Sequence, residues 1–515
     1  MALSDSRWQR TVTLCALYVA QGIPWGFMLI TLPAHLADKY DVGVGEIGFL
    51  KAIILVPWSF KLIWAPIMDT FTVRSMGRRR PWIIAAEIMM ALTLFGMLGL
   101  GANLSEQVQT LVWMYFLHNC FASLQDVCTD ALAVDILPPE EQGQTNGLMW
   151  GSKLVGKGLG AWGLAIVLDR SGLEACVFVQ VALLLVILVF PIFFLERKGE
   201  KRFPWSRGAA RGDETHGIRD LKNTVLETID ESPLPKAQAA DLSSLVKFSW
   251  PGVLFVMTIV NSMRALALPT LMVYLLFTVV KLIGIGVNEV VTNNLYTQNL
   301  GWTDVEFSTV SGAYTLAPIL VGTILGGYLA DRFGRRLILC LGYGGYAVSA
   351  LVFAARPDLW TATINLGMPS FLVDLFGTNQ VQVRWFAVGY VIAFETSSAV
   401  GSVGFLSMAM RISWSRAAAT VFTVYMTFSN VSHVIGNGIT GWLTGKFTAV
   451  AETAGLTGDA AVLYSYELTF WFCGIVTIPP LLLLLWVRPS RVDEAEKNLA
   501  IVEGRDGAQP PEAAS

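Results

Sequence analysis

The chain has 515 residues, of which 54% are hydrophobic and only 15% charged, and its formal net charge at pH 7 is -3. Soluble proteins carry about 25% charged residues, so this sequence has too little charge to cover a water-exposed surface. The small negative charge argues against a nucleic-acid partner. The six cysteines and four histidines are dispersed, which predicts neither a disulfide framework nor a metal site, and we expect no cofactor.

Apolar segments of roughly 20 to 25 residues, long enough to cross a bilayer, predict an all-α membrane protein of about twelve transmembrane helices. The polar start, Met1 to Arg10, leads straight into the first segment, so we interpret it as part of a retained span and expect no separate cleaved signal. The predicted spans lie at 11–36, 46–66, 82–101, 109–136, 145–168, 173–195, 270–298, 304–329, 336–355, 383–411, 416–446 and 464–487.

A polar stretch in the middle of the chain separates two groups of six spans. We predict an N-terminal six-helix half at 1–195, a cytoplasmic linker at 196–249, a C-terminal six-helix half at 250–490 and a disordered cytoplasmic tail at 491–515. The apolar segment at 251–268 is a candidate interfacial helix. The segment at 356–384 is interpreted as an inserted loop on the outer side.

Basic residues cluster after the second and eighth spans, and short cytoplasmic loops of membrane proteins are enriched in lysine and arginine. Both clusters fall on the same side of a twelve-span chain, which predicts a multi-pass membrane protein with both termini in the cytoplasm. The residues concerned are Arg78, Arg79, Arg80, Arg332, Arg335 and Arg336.

The two halves resemble each other in sequence. Asp69 ends the second span and Asp331 ends the eighth, and each precedes an arginine cluster; acidic residues within the fourth and tenth spans, Asp126 and Glu395, recur at nearly the same offset. Duplicated halves are how many secondary transporters build alternating access around a site near the middle of the membrane.

Residues 326–336 resemble the loop signature of the major facilitator superfamily, a glycine-rich helix end followed by aspartate and three arginines. The first-half copy departs from this signature, because Ala65-Pro66 replaces glycines and the spacing to Gly77 is longer. The resemblance implies a major facilitator-type bundle in two pseudo-symmetric halves, in which Asp69, Asp331 and the arginines brace the gating loops.

The segments from Trp58 to Trp82, Ser123 to Ala131 and Pro139 to Gly143 resemble the peptide, acetyl-CoA and drug transporter branch, which includes the AmpG-type muropeptide permeases. The resemblance covers residues 14 to 165, and it implies proton-coupled muropeptide import. Siderophores, drugs and acetyl-CoA stay open as alternative substrates. The implied partners are a small-molecule substrate, protons and the lipid bilayer, and we expect a monomer.

Ionisable side chains within spans are costly unless paired or hydrated, so each is a functional candidate. Asp126 and Asp130 share one face of the fourth span, and Lys153 and Lys157 share one face of the fifth. Counting depth at 1.5 Å per residue from the helix ends, we predict two stacked ion pairs, Asp130 with Lys153 and Asp126 with Lys157. A purely structural role for these pairs stays open. Asp135 is predicted to brace the Arg78 to Arg80 loop.

In the second half, Glu289 and Glu395 have no partner at matching spacing, although Lys281 could serve one of them. By resemblance, spans one, four, seven and ten line the cavity. Glu395, Glu289 and Asp126 are therefore the candidate proton carriers. Glu395 is placed first, because an unpaired carboxylate changes charge more easily than a paired one.

Two further polar features could contact the substrate. Glycine and proline near Gln21 and Trp25 are interpreted as a break in the first span, where unwound backbone lines a cavity, or as a packing kink. Asn430 and His433 begin a polar stripe on the eleventh span that serves either the ligand or interhelical hydrogen bonds.

The glycines at 156–160 are interpreted as close helix packing, since they lie within an apolar span and do not form a phosphate-binding loop. The sequence has no such loop elsewhere, which argues against ATP-driven transport, and no converging catalytic groups indicate an enzyme. A non-transporting assembly factor or receptor on the same scaffold stays open as the other class of function.

Overall fold

The computed structural model describes residues 2–70, 73, 75–98, 107–206, 268–367, 380–413 and 418–490, although a few side chains within these ranges, including those of Asp69 and Asp331, are outside the description. The described residues form a helical membrane bundle in two halves of six passes each. The predicted tail, the linker from 207 onward and the candidate helix up to 267 lie outside the described residues. The domain boundaries therefore stay predictions.

The first half begins with a long first pass and ends after the sixth. Its helices are α1 (Arg7–Gly26), α2 (Leu32–Tyr40), α3 (Val44–Leu55), α4 (Lys61–Thr70), α5 (Arg80–Phe95), α6 (Val108–Ile136) and α7 (Pro139–Phe193). A π-turn at Phe27–Thr31 joins α1 to α2, and a 3-10 turn at Val56–Phe60 joins α3 to α4. Gly172, with φ of 78°, breaks α7 into the fifth and sixth passes.

The second half repeats this arrangement. Its helices are α8 (Pro269–Val280), α9 (Ile283–Asn294), α10 (Asp304–Thr309), α11 (Leu316–Phe333), α12 (Arg335–Ala355), α13 (Trp385–Ile412), α14 (Ala418–Thr453) and α15 (Asp459–Leu483). π-turns at Leu295–Asn299 and Val310–Tyr314 extend α9 and join α10 to α11. Helices dominate because lipid supplies no hydrogen bonds, so each pass must satisfy its own backbone.

Seven helical stretches of the described residues are long and apolar enough to cross a membrane by length and composition alone, and one of them holds both the fifth and the sixth pass. The other passes do not meet this criterion of length and composition, for local reasons. α5 has only 16 residues, and the second pass is divided by its 3-10 turn. α6 and α14 carry the polar residues described below, which lower their mean hydropathy.

The segment at 356–384 is not wholly irregular. Strands β1 (Ile364–Gly367) and β2 (Gln380–Val383) pair antiparallel, and β1 is fully exposed. The start of the predicted linker also folds back onto the bundle, since the Lys201 backbone N–H donates to the Ser75 carbonyl at 2.7 Å. The described beginning of the predicted linker therefore contacts the first half.

Glycines set how closely α1 packs against α7. A Cβ at Gly22 would lie 2.3 Å from the Lys153 carbonyl oxygen, and one at Gly160 would lie 2.1 Å from that of Ile23. The packing interpretation of residues 156–160 is thus confirmed. The predicted break near Gln21 is wrong, because α1 continues through Pro24 and the irregular π-turn starts only at Phe27. Pro24 is tolerated there since neighbouring helices compensate for the lost hydrogen bond.

Gly160→Ala is expected to destabilise the protein by about 1–3 kcal/mol, because the new methyl group would press on the α1 backbone. Gly163→Ala is the matched control on the same helix, since a Cβ there meets nothing within 4 Å and alanine is the better helix former. Thermal unfolding in detergent measures both. Equal melting temperatures for the two variants would contradict the close contact.

The bundle has two distinct ends. The arginine end carries the turns before α5 and α12, and the far end carries the turns at 41–43 and 300–303. Contacts between the halves run from the far end to the middle. At the far end His35 Nδ1 lies 2.6 Å from Asp304 Oδ2, and Asn294 Nδ2 donates to the Val42 carbonyl at 3.0 Å. Asp304 is fully buried in this interface.

Glycines also form the contact between the halves. A Cβ at Gly441 on α14 would lie 2.4 Å from the Gly45 Cα on α3, and one at Gly312 would lie 2.9 Å from the Gly158 carbonyl oxygen. The two halves therefore meet backbone to backbone at these points. Together with the ion pair of His35, these contacts close the far end of the bundle.

Candidate functional site

A small chamber lies between the two halves near the middle of the bundle. Its volume is about 50 Å³, whereas pockets that bury a drug-sized ligand measure roughly 300–1,000 Å³. Its lining combines five titratable groups with aromatic and aliphatic side chains. The lining residues are Trp25, Leu29, Ile30, Lys51, Lys157, Glu289, Thr292, Phe307, Ser311, Val391, Phe394, Glu395 and His433. The structure thus represents a closed state of this chamber.

The charged groups of the chamber are distributed unequally between the halves. Lys51 and Lys157 come from the first half, whereas Glu289, Glu395 and His433 come from the second. Lys157 Nζ lies 3.2 Å from Glu395 Oε2, in an ion pair that crosses between the halves. Within the second half, His433 Nε2 lies 3.0 Å from Glu289 Oε2.

A second cluster lies in the first half, on the side of the chamber nearer the arginine end. Asp126 forms ion pairs with Lys61 and, at 3.2 Å, with Lys153. Asp130 accepts a hydrogen bond from the Tyr18 hydroxyl. All three charged residues of the ion-pair group are nearly buried, with 12% or less of each side chain exposed.

Aromatic rings surround Lys153. Its Nζ lies 4.6 Å from the ring centre of Trp58, 5.0 Å from that of Trp25 and within 6 Å of those of Tyr18 and Trp150. Such cation–π contacts stabilise a desolvated ammonium group. Trp25 belongs to both the cluster and the chamber, so it connects the two.

The predicted stacked ion pairs are wrong by one helical turn. Lys153 pairs with Asp126 instead of Asp130, and Lys157 pairs with Glu395 instead of Asp126. Depth along a helix does not fix tilt or rotation, and a long lysine side chain reaches a neighbour one turn away. Glu395 is consequently not the unpaired carboxylate that the prediction required.

Lys281 serves neither carboxylate of the second half. Its Nζ forms no ion pair with a carboxylate among the described residues and instead donates to the Tyr343 hydroxyl at 3.0 Å. It also lies 3.9 Å from the ring centre of Phe405. Of the two carboxylates that Lys281 could have served, Glu289 is bonded to His433 and Glu395 is paired with Lys157. Lys281 therefore belongs to the packing of the second half.

The remaining predicted contact residues are divided between the chamber and its supports. Gln21 Nε2 donates to Gln125 Oε1 at 2.6 Å, which places Gln21 in a buried amide network and not at the chamber. Asn430 Nδ2 donates to the Trp58 carbonyl at 2.9 Å, so it joins the two halves. Trp25 and His433 line the chamber.

A family model described as Major Facilitator Superfamily matches residues 14–292 and 290–510, which together span nearly the whole chain. The chain belongs to this superfamily. The resemblance on which the sequence analysis rested is confirmed, and so is the two-half bundle.

Two curated proteins resemble this chain over part of its length. The anhydromuropeptide permease of Escherichia coli is 34% identical over 136 residues, which is 26% of each chain. An uncharacterized protein of Haemophilus influenzae is 27% identical over 198 residues, or 38% of this chain and 45% of its own. The matched segments thus span about a quarter to less than half of these relatives.

Solved structures share the fold of this superfamily member over nearly its whole length. A nucleoside transporter aligns with a TM-score of 0.57 at 8% identity, covering 93% of this chain and 98% of its own. A structure of proton-dependent oligopeptide transporters aligns with a TM-score of 0.57 at 11% identity, covering 94% and 99%. This member of the superfamily accordingly shares its multi-pass membrane fold with these transporters.

The signature loops after the second and eighth passes are held by hydrogen bonds at the arginine end. The Glu196 carboxylate accepts hydrogen bonds from the backbone N–H groups of Arg78, Arg79 and Arg80, the first of these at 3.0 Å. The buried Arg80 guanidinium donates to five backbone carbonyls, including that of Pro191. The segment after the sixth pass thereby holds the loop between the second and third passes.

The predicted contact of Asp135 with this loop is present, since Arg79 Nε donates to Asp135 Oδ2 at 2.9 Å. In the second half, Arg335 Nε donates to Ser407 Oγ at 2.8 Å and Arg336 donates to the Val487 carbonyl. Arg332 lies 3.5 Å from the Tyr328 hydroxyl at the exposed surface. A role for these loops in gating stays a prediction.

Several residues of the site were missed by sequence reasoning. Lys51 and Lys61 lie within the predicted second span, and their charge in an apolar segment is the signal that could have identified them. Tyr18 and Trp58 had no distinguishing signal, because aromatic residues are common in apolar spans. Glu196 stood at the start of a segment interpreted as linker.

The stability of the transporter should depend on pH through Glu200, which lies beyond the sixth pass. Burial and the neighbouring Glu196 carboxylate raise the pKa of Glu200 from 4.5 to about 7. The folded protein therefore keeps this proton where the unfolded chain has lost it, so stability is highest below the unfolded pKa and falls as pH rises through about 7. Glu200→Gln should raise the melting temperature more at about pH 8 than at about pH 5.

The control for this measurement is Glu452→Gln on α14, where the carboxylate is exposed. This variant should follow the wild-type pH profile of thermal unfolding. If Glu200→Gln follows that profile as well, Glu200 holds no extra proton in the folded state.

Proposed function

We propose that the chain is a proton-coupled secondary carrier that imports anhydromuropeptides across the bacterial inner membrane, with the arginine end in the cytoplasm. The observation that carries the proposal is the Lys157–Glu395 ion pair, which joins the two halves across a closed chamber. Alternating access requires the halves to rock apart around a central site, so this ion pair must break during each cycle.

A proton offers a direct way to break it. When Glu395 is protonated, its attraction to Lys157 is lost and the two halves are free to separate on that side of the chamber. Glu289, bonded to His433 in the same chamber, is a second group on which a proton could arrive. The chamber therefore contains the groups that a coupled cycle requires.

The chemistry of the chamber and cluster suits a cargo that combines rings with charged groups. Trp25, Phe307 and Phe394 provide flat apolar faces, and the lysines and carboxylates provide partners for charge. Trp25 Nε1 is buried without a hydrogen-bond partner among the described residues. Buried polar groups are normally satisfied, so a bound cargo or water is expected to supply this partner. The identity with the Escherichia coli permease supports a muropeptide cargo.

Uptake in proteoliposomes tests this proposal. Purified protein of verified orientation would be supplied with labelled anhydromuropeptide, with and without an inward proton gradient. Uptake that the gradient stimulates and unlabelled muropeptide competes supports both cargo and coupling. Uptake of only a siderophore, a drug or acetyl-CoA would identify that substrate as the cargo instead of muropeptide. Absence of uptake with every class would favour an assembly factor or receptor.

The proposed orientation has its own test. Single cysteines introduced at Ser206 and at Gly301 in a cysteine-free background would be labelled from outside intact cells with a membrane-impermeant maleimide. We expect labelling at Gly301 alone, since it lies at the far end. Labelling at Ser206 alone would reverse the orientation.

A further inference from the structure

Lys51 differs from Lys61, Lys153 and Lys157, because among the described residues it forms no direct ion pair with a carboxylate. It lies on α3 with 3% of its surface exposed. Its Nζ donates to the Glu289 backbone carbonyl at 3.0 Å, and no carboxylate of the described residues lies within ion-pair distance. Lys61 and Lys153, by comparison, share Asp126, and Lys157 has Glu395.

The two carboxylates nearest to Lys51 are already engaged. Glu289 Oε2 is bonded to His433, and Glu395 Oε2 is paired with Lys157. An ammonium group has three N–H donors, of which the carbonyl of Glu289 accepts one. Lys51 lines the chamber, so its remaining donors can be satisfied by a molecule bound there.

A buried cation without a carboxylate in direct contact is only partly compensated for its removal from water, which costs several kcal/mol. An anion bound in the chamber would give Lys51 the direct partner that Glu289 and Glu395 do not provide. The lysines also come only from the first half and the carboxylates only from the second. An anionic group in the chamber is therefore attracted to the wall that Lys51 forms.

We propose that Lys51 binds a carboxylate of the cargo. This inference rests on the proposed transport function, and it adds that the cargo enters the chamber as an anion with its carboxylate against α3. Lys51 is then a residue that determines specificity, since it distinguishes a free carboxylate from its neutral amide.

The test compares the binding of matched acid and amide forms of a cargo to wild type and to Lys51→Met. The cargo classes are anhydromuropeptide, a carboxylate siderophore and acetylated tripeptide, each with its terminal carboxylate free or amidated. A charge-assisted hydrogen bond should make the wild type prefer the acid by about tenfold to a hundredfold. Lys51→Met should lose this preference while binding the amide as well as wild type does.

Two further variants separate binding from structure. Lys51→Arg keeps the charge and should retain part of the preference for the acid. Lys281→Met removes a buried lysine outside the chamber lining, so it should change acid and amide binding by the same factor. Lys51→Met should also be at least as heat-stable as wild type, whereas the loss of a structural ion pair would lower the melting temperature.

Each outcome separates this inference from the proposed function. Binding of only a siderophore or peptide acid would exclude muropeptide as the cargo. The role of Lys51 would then be tested with the acid and amide forms of the class that binds. An acid preference that survives in Lys51→Met would overturn the role of Lys51. If the wild type binds an amide as tightly as its acid, or binds no acid, the anionic cargo is excluded.

Discussion

Asp126→Asn is expected to destabilise the transporter by about 3–5 kcal/mol, the usual effect of breaking a buried ion pair by removing one partner. Asp126 is the shared counter-charge of Lys61 and Lys153, and its side chain is 4% exposed. An asparagine would leave two buried ammonium groups facing each other without a carboxylate in direct contact, and only the Asp130 carboxylate nearby would offset their charge. The measurement is unfolding in detergent, followed by circular dichroism and by the retention of monodisperse protein after heating.

Two comparisons make this result specific. Asp135→Asn removes a carboxylate that is 25% exposed at the arginine end, so the loss of stability should be small. The triple variant in which Asp126 becomes Leu and both lysines become Met should recover most of the stability, because no buried charge is left uncompensated. A single Asp126→Asn variant as stable as wild type would show that the cluster is hydrated and not buried.

Glu395→Gln is expected to abolish gradient-driven accumulation while sparing exchange of cargo across the membrane. Glutamine keeps the shape of the side chain but cannot change charge, so the Lys157 pair no longer responds to a proton. Exchange requires only that the loaded carrier rock between its two states. Accumulation should fall to the level of protein-free vesicles, and counterflow of labelled cargo should continue.

The matched control is Glu452→Gln, an exposed position outside the chamber lining, which should leave both activities intact. Normal accumulation by Glu395→Gln would exclude Glu395 as the coupling group and direct attention to Glu289. Loss of both accumulation and exchange would instead mean that the ion pair is needed for the carrier to rock at all.

The sequence predicted the passes well because lipid leaves so few solutions for the backbone. Hydropathy placed α6 at 109–136, and the structure has it at Val108–Ile136. The repeated arginine clusters indicated two halves, which the repeated arrangement of helices in the structure confirms. These features are local, or they recur along the chain, and so they can be recognised in the amino-acid sequence alone.

The pairing of charges could not be predicted in the same way. Asp126 and Asp130 are equally placed on one helix face, and only the rotation of α6 and the reach of Lys61 decide which one is shared by two lysines. Glu196 was missed because its partners are backbone N–H groups of a distant loop. Both depend on the three-dimensional meeting of segments far apart in the chain.

The glycine contacts between the halves affect how easily the carrier can switch between states. Glycine has no side-chain rotamers to lose, so closing the Gly45–Gly441 and Gly158–Gly312 contacts restricts no side chains at these points. The entropy cost of each closure is thereby kept low, and the balance between states depends mainly on a few polar contacts, such as that of His35 with Asp304 and the Lys157–Glu395 ion pair. Because closing these surfaces costs little free energy, the binding of a ligand of modest affinity is enough to switch such a carrier between its states.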